Sequence, residues 1–189
     1  METNPDLIVT PHPYDVEDIN EFSSLKDARE YVEDARAQPR GGSCPCCDQH
    51  VKNYRYSISR SMALALVSLY HLNVRNNDTF VSKEDLFKVV ISKSAFGGGS
   101  FASMVRWGLI EEKSSDDKTK GRCSGYWRIT EKGKSFVKNE IRLPKYVHSY
   151  NNKVFFRDDK EMVSILDAMN GESFDYEKIM SEAVANPEK

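Results

Sequence analysis

The run Met62–Val67 places six apolar residues in a row, and the wider stretch Ser59–Leu72 carries an apolar surface too broad for a helix with one wet face. It predicts the most buried helix of the chain, with Ser57 or Ser59 as its N-cap. Upstream, Leu25, Ala28, Tyr31, Val32 and Ala35 recur at helical spacing after Ser23-Ser24, and Pro39-Arg40-Gly41-Gly42 ends that pattern. Between these helices, Tyr54, Tyr56 and Ile58 alternate with polar neighbours, as in a short strand starting near Val51. Downstream, Ser82-Lys83-Glu84-Asp85 resembles a capping box and opens a second short helix carrying Leu86, Phe87, Val89 and Val90. Ser100 is placed to cap a third helix, Phe101–Trp107, with Gly108 in a left-handed cap position. Strands are expected at Leu109–Lys113 and Tyr126–Thr130 around a polar loop, followed by a fourth helix from Thr130 that stops before Pro144.

The flanks have different patterns. Residues 1–22 show little periodicity and three prolines, which predicts an extended arm. Lys145–Tyr150 and Lys153–Asp158 alternate around Asn151-Asn152, a pair that tolerates positive φ, and predict a hairpin. Met162–Met169 and Phe174–Ala185 read as two short helices. The expected organisation is an acidic arm and helix (1–42), a Cys-rich knuckle and strand (43–58), a core domain (59–143), and a hairpin with short helices (144–189).

The series helix, helix, Gly-rich turn, helix ending in Gly108-Leu109-Ile110, charged hairpin, and Trp127-Arg128-Ile129-Thr130 running into Glu131-Lys132-Gly133 is a winged helix-turn-helix pattern. Met104–Lys113 with Tyr126–Glu140 resembles the second half of bacterial winged-helix regulators of the MarR and PadR type. The resemblance implies an α+β fold: a winged helix-turn-helix core with an N-terminal helix, a Cys-rich knuckle and a C-terminal hairpin. It also implies that the residues before Gly108 form a recognition helix and that the hairpin is a wing. The Cys44-Pro45-Cys46-Cys47 turn with Val51-Lys52 is similar to small proteins of bacteriophages and prophages. This chain departs from the regulator pattern in a very short third helix led by Gly97, Gly98 and Gly99.

Charge sharpens the reading. The chain has 189 residues and a formal net charge of −2, but the charge is segregated. Residues 1–40 carry a net −6, residues 41–155 a net +9 and residues 156–189 a net −5. A basic centre coinciding with the helix pattern suits a phosphate-bearing partner. At helical spacing Ser100, Ser103 and Arg106 face outward from the third helix, and Lys118, Lys120 and Arg122 sit at the hairpin tip. Lys93, with Lys88, Arg55 and Arg60, widens that footprint. The opposing reading makes the lysines solubilising charge, with Asp116 and Asp117 partly cancelling them. Duplex DNA is the expected partner and transcriptional regulation the expected role. The rival is a protein-interaction module meeting host transcription or defence machinery, with Tyr146, Tyr150, Phe155 and Phe156 as contact surface. A homodimer fits either reading.

Cys44 and Cys47 have C-x₂-C spacing and His50 follows, so this turn looks like half a structural zinc site. Cys123 is the candidate fourth ligand, with Cys46, His71 and His148 as substitutes. A metal-free packed turn and a redox pair remain open. No phosphate loop is present, since Gly97-Gly98-Gly99-Ser100 lacks the lysine and the preceding strand, and the four histidines are scattered, so no enzymatic activity is expected. No apolar segment reaches membrane-spanning length and no secretion signal opens the chain, which predicts a cytoplasmic protein.

Overall fold

A computed structural model describes residues 23–89, 101–113 and 125–169, together with Met180. The fold is mixed α+β. In chain order it comprises α1 (Leu25–Ala37), β1 (Gly42–Ser43), β2 (His50–Val51), β3 (Tyr54–Ser57), α2 (Arg60–Arg75), β4 (Val81–Ser82) and α3 (Lys83–Val89). A 3-10 helix (Ala102–Trp107), β5 (Ile110–Glu112), β6 (Tyr126–Ile129), α4 (Glu131–Val137), β7 (Leu143–Tyr150), β8 (Lys153–Val163) and α5 (Ile165–Met169) follow. Among the described residues no helix is long and apolar enough to cross a membrane. The expected arm 1–22 and helix Phe174–Ala185 lie outside the described residues, apart from Met180.

The chain divides into two compact units, residues 1–55 with 148–155 and residues 56–147 with 156–189. In the first, Ser24 caps α1 in a complete capping box with Asp27. The buried face of α1, Tyr31 and Ala35, packs with Val51, and Cys44 and Tyr150 lie at the edge of that cluster. Arg36 organises this unit. Its guanidinium lies 4.8 Å from the Tyr150 ring centre and 5.3 Å from that of Phe155. It also donates to Asn53 Oδ1 at 2.8 Å and pairs with Glu33. At the tip of the β7–β8 hairpin, Asn151 and Asn152 have φ of 46° and 59°, the paired left-handed turn expected of Asn-Asn.

In the second unit the helix expected from Met62–Val67 is α2, capped by Ser59, with Met62 to Leu69 buried without a break. Helices α3, α4 and α5 and strand β6 pack on it. Strands β4, β6 and β5 form an antiparallel sheet in that order, with Val81 and Glu112 both opposite Trp127 and Ile110 opposite Ile129. Both tryptophans of the chain are buried here, Trp107 donating from Nε1 to the Pro144 carbonyl at 2.7 Å and Trp127 meeting Phe101 edge-to-face at 5.7 Å. Strands β3, β7 and β8 make a further sheet in the order β3-β7-β8.

Four expectations need correction. The strand expected from Val51 is two short strands, β2 and β3, and of the alternating residues Tyr54 is exposed while Ile58 is buried. The fourth helix ends at Val137, not before Pro144. Asn139 turns left-handed at φ 60°, and the Glu140 N–H reaches the Ser135 carbonyl at 2.9 Å, closing the helix in the six-to-one manner of a Schellman turn. Met162 and Val163 belong to β8, and only Ile165–Met169 is helical, because Ser164 and Asp167 exchange hydrogen bonds as a cap there. The third helix is 3-10 rather than α, with consequences for its faces.

Candidate nucleic-acid interface

The basic residues of the second unit are held by capped elements. Ser82 Oγ accepts from the Asp85 N–H at 3.0 Å, so α3 starts where the capping box predicts. The 3-10 helix ends at Gly108, whose φ of 72° provides the left-handed stop and whose missing Cβ faces open space. Thr130 then ties the pieces together. Its hydroxyl donates to the Gly108 carbonyl at 2.6 Å and accepts from Gly133 N–H at 3.0 Å, while its N–H meets the Leu109 carbonyl. The end of the 3-10 helix is thereby fixed against the first turn of α4.

Three residues per turn stack positions i and i+3, so Ser103 and Arg106 share one face and Met104 and Trp107 another. Met104 and Trp107 are in the core, and Ser103 is buried too, its hydroxyl pointing at Met62 Sδ at 3.9 Å. The expectation that Ser103 faces outward is therefore wrong: its side of the helix packs against Met62 of α2. Val105, by contrast, is 46% exposed. Arg106 is half-buried. Its guanidinium carbon stands 4.0 Å from the Tyr56 ring centre and Nη2 is 3.3 Å from the Tyr56 hydroxyl, while Nε is buried without a hydrogen-bond partner.

The remaining expected DNA contacts, Ser100, Lys93, Lys118, Lys120 and Arg122, lie outside the described residues. The strands on either side of the last three in sequence are described: β5 and β6 pair antiparallel, and Lys113 N–H bonds the Tyr126 carbonyl at 3.0 Å. Within this hairpin Arg128 pairs with Glu111, Nε to Oε1 at 2.6 Å, and covers the Phe80 ring at 4.7 Å. Lys88 pairs with Asp85 at 2.8 Å, whereas Arg60 is exposed on the first turn of α2.

Two cations escape a sequence reading. Arg157, on β8, donates from Nη2 to the Arg106 carbonyl at 3.4 Å. Lys132, the second residue of α4, has its ammonium pKa held below the usual lysine value, first by partial burial and then by the charge of Arg157. Among the described residues, none of Arg106, Lys132 and Arg157 is ion-paired with a carboxylate. Their positions are far apart in sequence and no local spacing links them. A cavity of about 390 Å³ near Arg60 also contains Arg142 and Lys145, but these pair with Asp167 at 2.9 Å and Glu161 at 2.5 Å.

In the first unit the cysteine turn closes the β1–β2 hairpin, in which Ser43 faces His50. Cys44 N–H bonds the Gln49 carbonyl at 2.8 Å and its carbonyl accepts from Asp48 N–H at 2.9 Å, with Asp48 left-handed at φ 56°. The Cys46 amide holds the Cys44 thiol below its usual pKa, with hydrogen bonds from Cys47 and the Cys46 side chain adding to it. Cys44 is half-buried, whereas Cys46, Cys47 and His50 are exposed. Among the described residues no group of three or more His, Cys, Asp or Glu side chains is placed to hold a metal ion. Cys123 lies outside them.

Comparison of the chain with protein-family models, curated proteins and solved structures returned no match.

Proposed function

We propose that the chain is a winged-helix protein that binds duplex DNA and acts in transcriptional regulation. The observation that carries the reading is the strand register of the second unit. Helices α2 and α3 and the 3-10 helix lead into an antiparallel β5–β6 pair, closed on its far side by β4, whose connection carries Lys118, Lys120 and Arg122 in sequence. That order is the one expected of a winged helix, and it supports reading these cations as wing residues. Burial of Ser103, Met104 and Trp107 leaves the 3-10 helix few groups to read base edges, so the contacts proposed are to phosphates.

The test is a gel shift with random-sequence duplex DNA over stepped salt. Binding is expected to weaken steeply with salt, with a logarithmic slope near −0.9 per phosphate contacted. Replacing Lys118, Lys120 and Arg122 by glutamine is expected to lower both affinity and slope. Absence of binding at low salt would sink the proposal. A protein-binding role is the second reading, favoured by the exposure of Val105, Phe156 and Leu166 within the same unit.

A further inference from the structure

Arg106, Lys132 and Arg157 come from the 3-10 helix, α4 and β8, and all belong to the second unit. Arg157 meets the Arg106 backbone, and the Lys132 ammonium is held below its usual pKa first by partial burial and then by the charge of Arg157. None of the three is ion-paired with a carboxylate among the described residues. The arrangement is held in place. Arg106 is fixed over the Tyr56 ring, and cation–π contacts of this kind contribute about 0.5–2 kcal/mol. Its Nε is desolvated with no acceptor. Arg157 uses one of its donors on the Arg106 carbonyl, and a guanidinium has five. Lys132 and Arg157 are exposed, so their remaining donors are open to an incoming anion. Guanidinium and ammonium donors together suit a phosphate, whose several oxygens can accept from more than one cation.

We propose that Arg106, Lys132 and Arg157 form a phosphate-binding cluster that contacts the DNA backbone separately from the wing. This rests on the DNA-binding reading and deepens it. The end of the 3-10 helix serves as an electrostatic clamp: Arg106 is the anchored member, and Lys132 and Arg157 are the members that release counterions on contact.

The experiment measures the salt dependence of duplex binding by the full chain, its Lys132→Gln/Arg157→Gln variant and a Lys160→Gln control on the same strand as Arg157. Both substituted side chains of the double variant are exposed, and matched thermal unfolding midpoints establish that its fold is intact. The expected result is a salt slope shallower by about two in the double variant, with the affinity loss equal on unrelated duplex sequences. Lys160→Gln is expected to leave the slope unchanged. If the unaltered chain binds and the double variant binds equally well with the same slope, the cluster is rejected while the DNA-binding reading stands. If the unaltered chain binds no duplex at low salt, the reading and the cluster fall together.

Discussion

At Gly133 a single hydrogen atom decides whether α4 can seat. A Cβ there would stand 2.1 Å from the Leu109 carbonyl oxygen and 2.6 Å from an Ile129 side-chain carbon. Alanine normally gains about 1 kcal/mol over glycine inside a helix, but overpacking against backbone costs about 1–3 kcal/mol. Gly133→Ala is therefore expected to destabilise the second unit in denaturant unfolding, and a stabilised variant would refute the close approach. Asn73 is the complementary case. Fully buried near the end of α2, it donates to the Thr79 carbonyl at 2.7 Å and accepts from Ile129 N–H at 2.8 Å. Asn73→Ala orphans both partners and should cost about 2–4 kcal/mol, with Asn73→Leu failing to restore it; a loss under about 0.5 kcal/mol would contradict the bridge. Neither role was legible, because Asn73 opens a polar run in the sequence and nothing marks it as inward. His71 adds a pH dependence. Burial, assisted by the charge of Arg75, lowers its pKa from 6.5 to about 4, and neither ring nitrogen has a partner. The unfolded chain thus binds more protons between these values, so the contribution is complete above about pH 6.5 and is lost as pH falls toward 4. Screening at this half-exposed ring limits it to about 1–2 kcal/mol. His71→Phe should flatten the pH profile of the melting temperature in that window, and an unchanged profile would count against the assignment.

Elements with strong local signals were read from the sequence, and those decided by tertiary packing were not. The caps at Ser24, Ser59, Ser82 and Thr130 each accept from the N–H three residues on, a relation that sequence spacing reveals directly. The Asn151-Asn152 hairpin is equally local. The 3-10 character of Ala102–Trp107 is not: its core residues, Met104 and Trp107, fit a helical period of either kind, and only packing selects three per turn. Nor does spacing show that Ser103 packs on Met62 of α2 or that Arg106 is held by Tyr56, since both contacts are long-range in sequence. The cysteine turn shows the same division. Its hairpin and the amide-bonded Cys44 thiol agree with a metal knuckle, but a tetrahedral site needs four ligands and the turn supplies two at the right spacing. If Cys44 and Cys47 hold zinc with ligands from elsewhere, metal analysis of purified protein should give about one zinc per chain, lost in Cys44→Ser and retained in Cys46→Ser. A ratio near zero rejects zinc at the turn.

On the scale of the whole molecule, segregated charge was visible from the start, but which cations are already spent was not. Arg36, Arg128, Arg142 and Lys145 are neutralised by nearby carboxylates, whereas Arg106, Lys132 and Arg157 are not paired with any described one. The net +9 over residues 41–155 already subtracts Glu111, but Arg142 and Lys145 pair with Asp167 and Glu161 outside that span. It therefore overstates the field a partner meets, and salt slopes should reflect a few cations rather than nineteen. The burial of Trp107 and Trp127 has an optical corollary. Both indoles belong to the unit formed by residues 56–147 and 156–189, and the unit built around α1 has none. Fluorescence excited selectively at tryptophan thus watches one unit and is blind to the other. Melting of α1 and its cysteine hairpin would pass unseen by emission while still absorbing heat in a calorimeter, so a mismatch between the two traces would identify which half of the chain opens first.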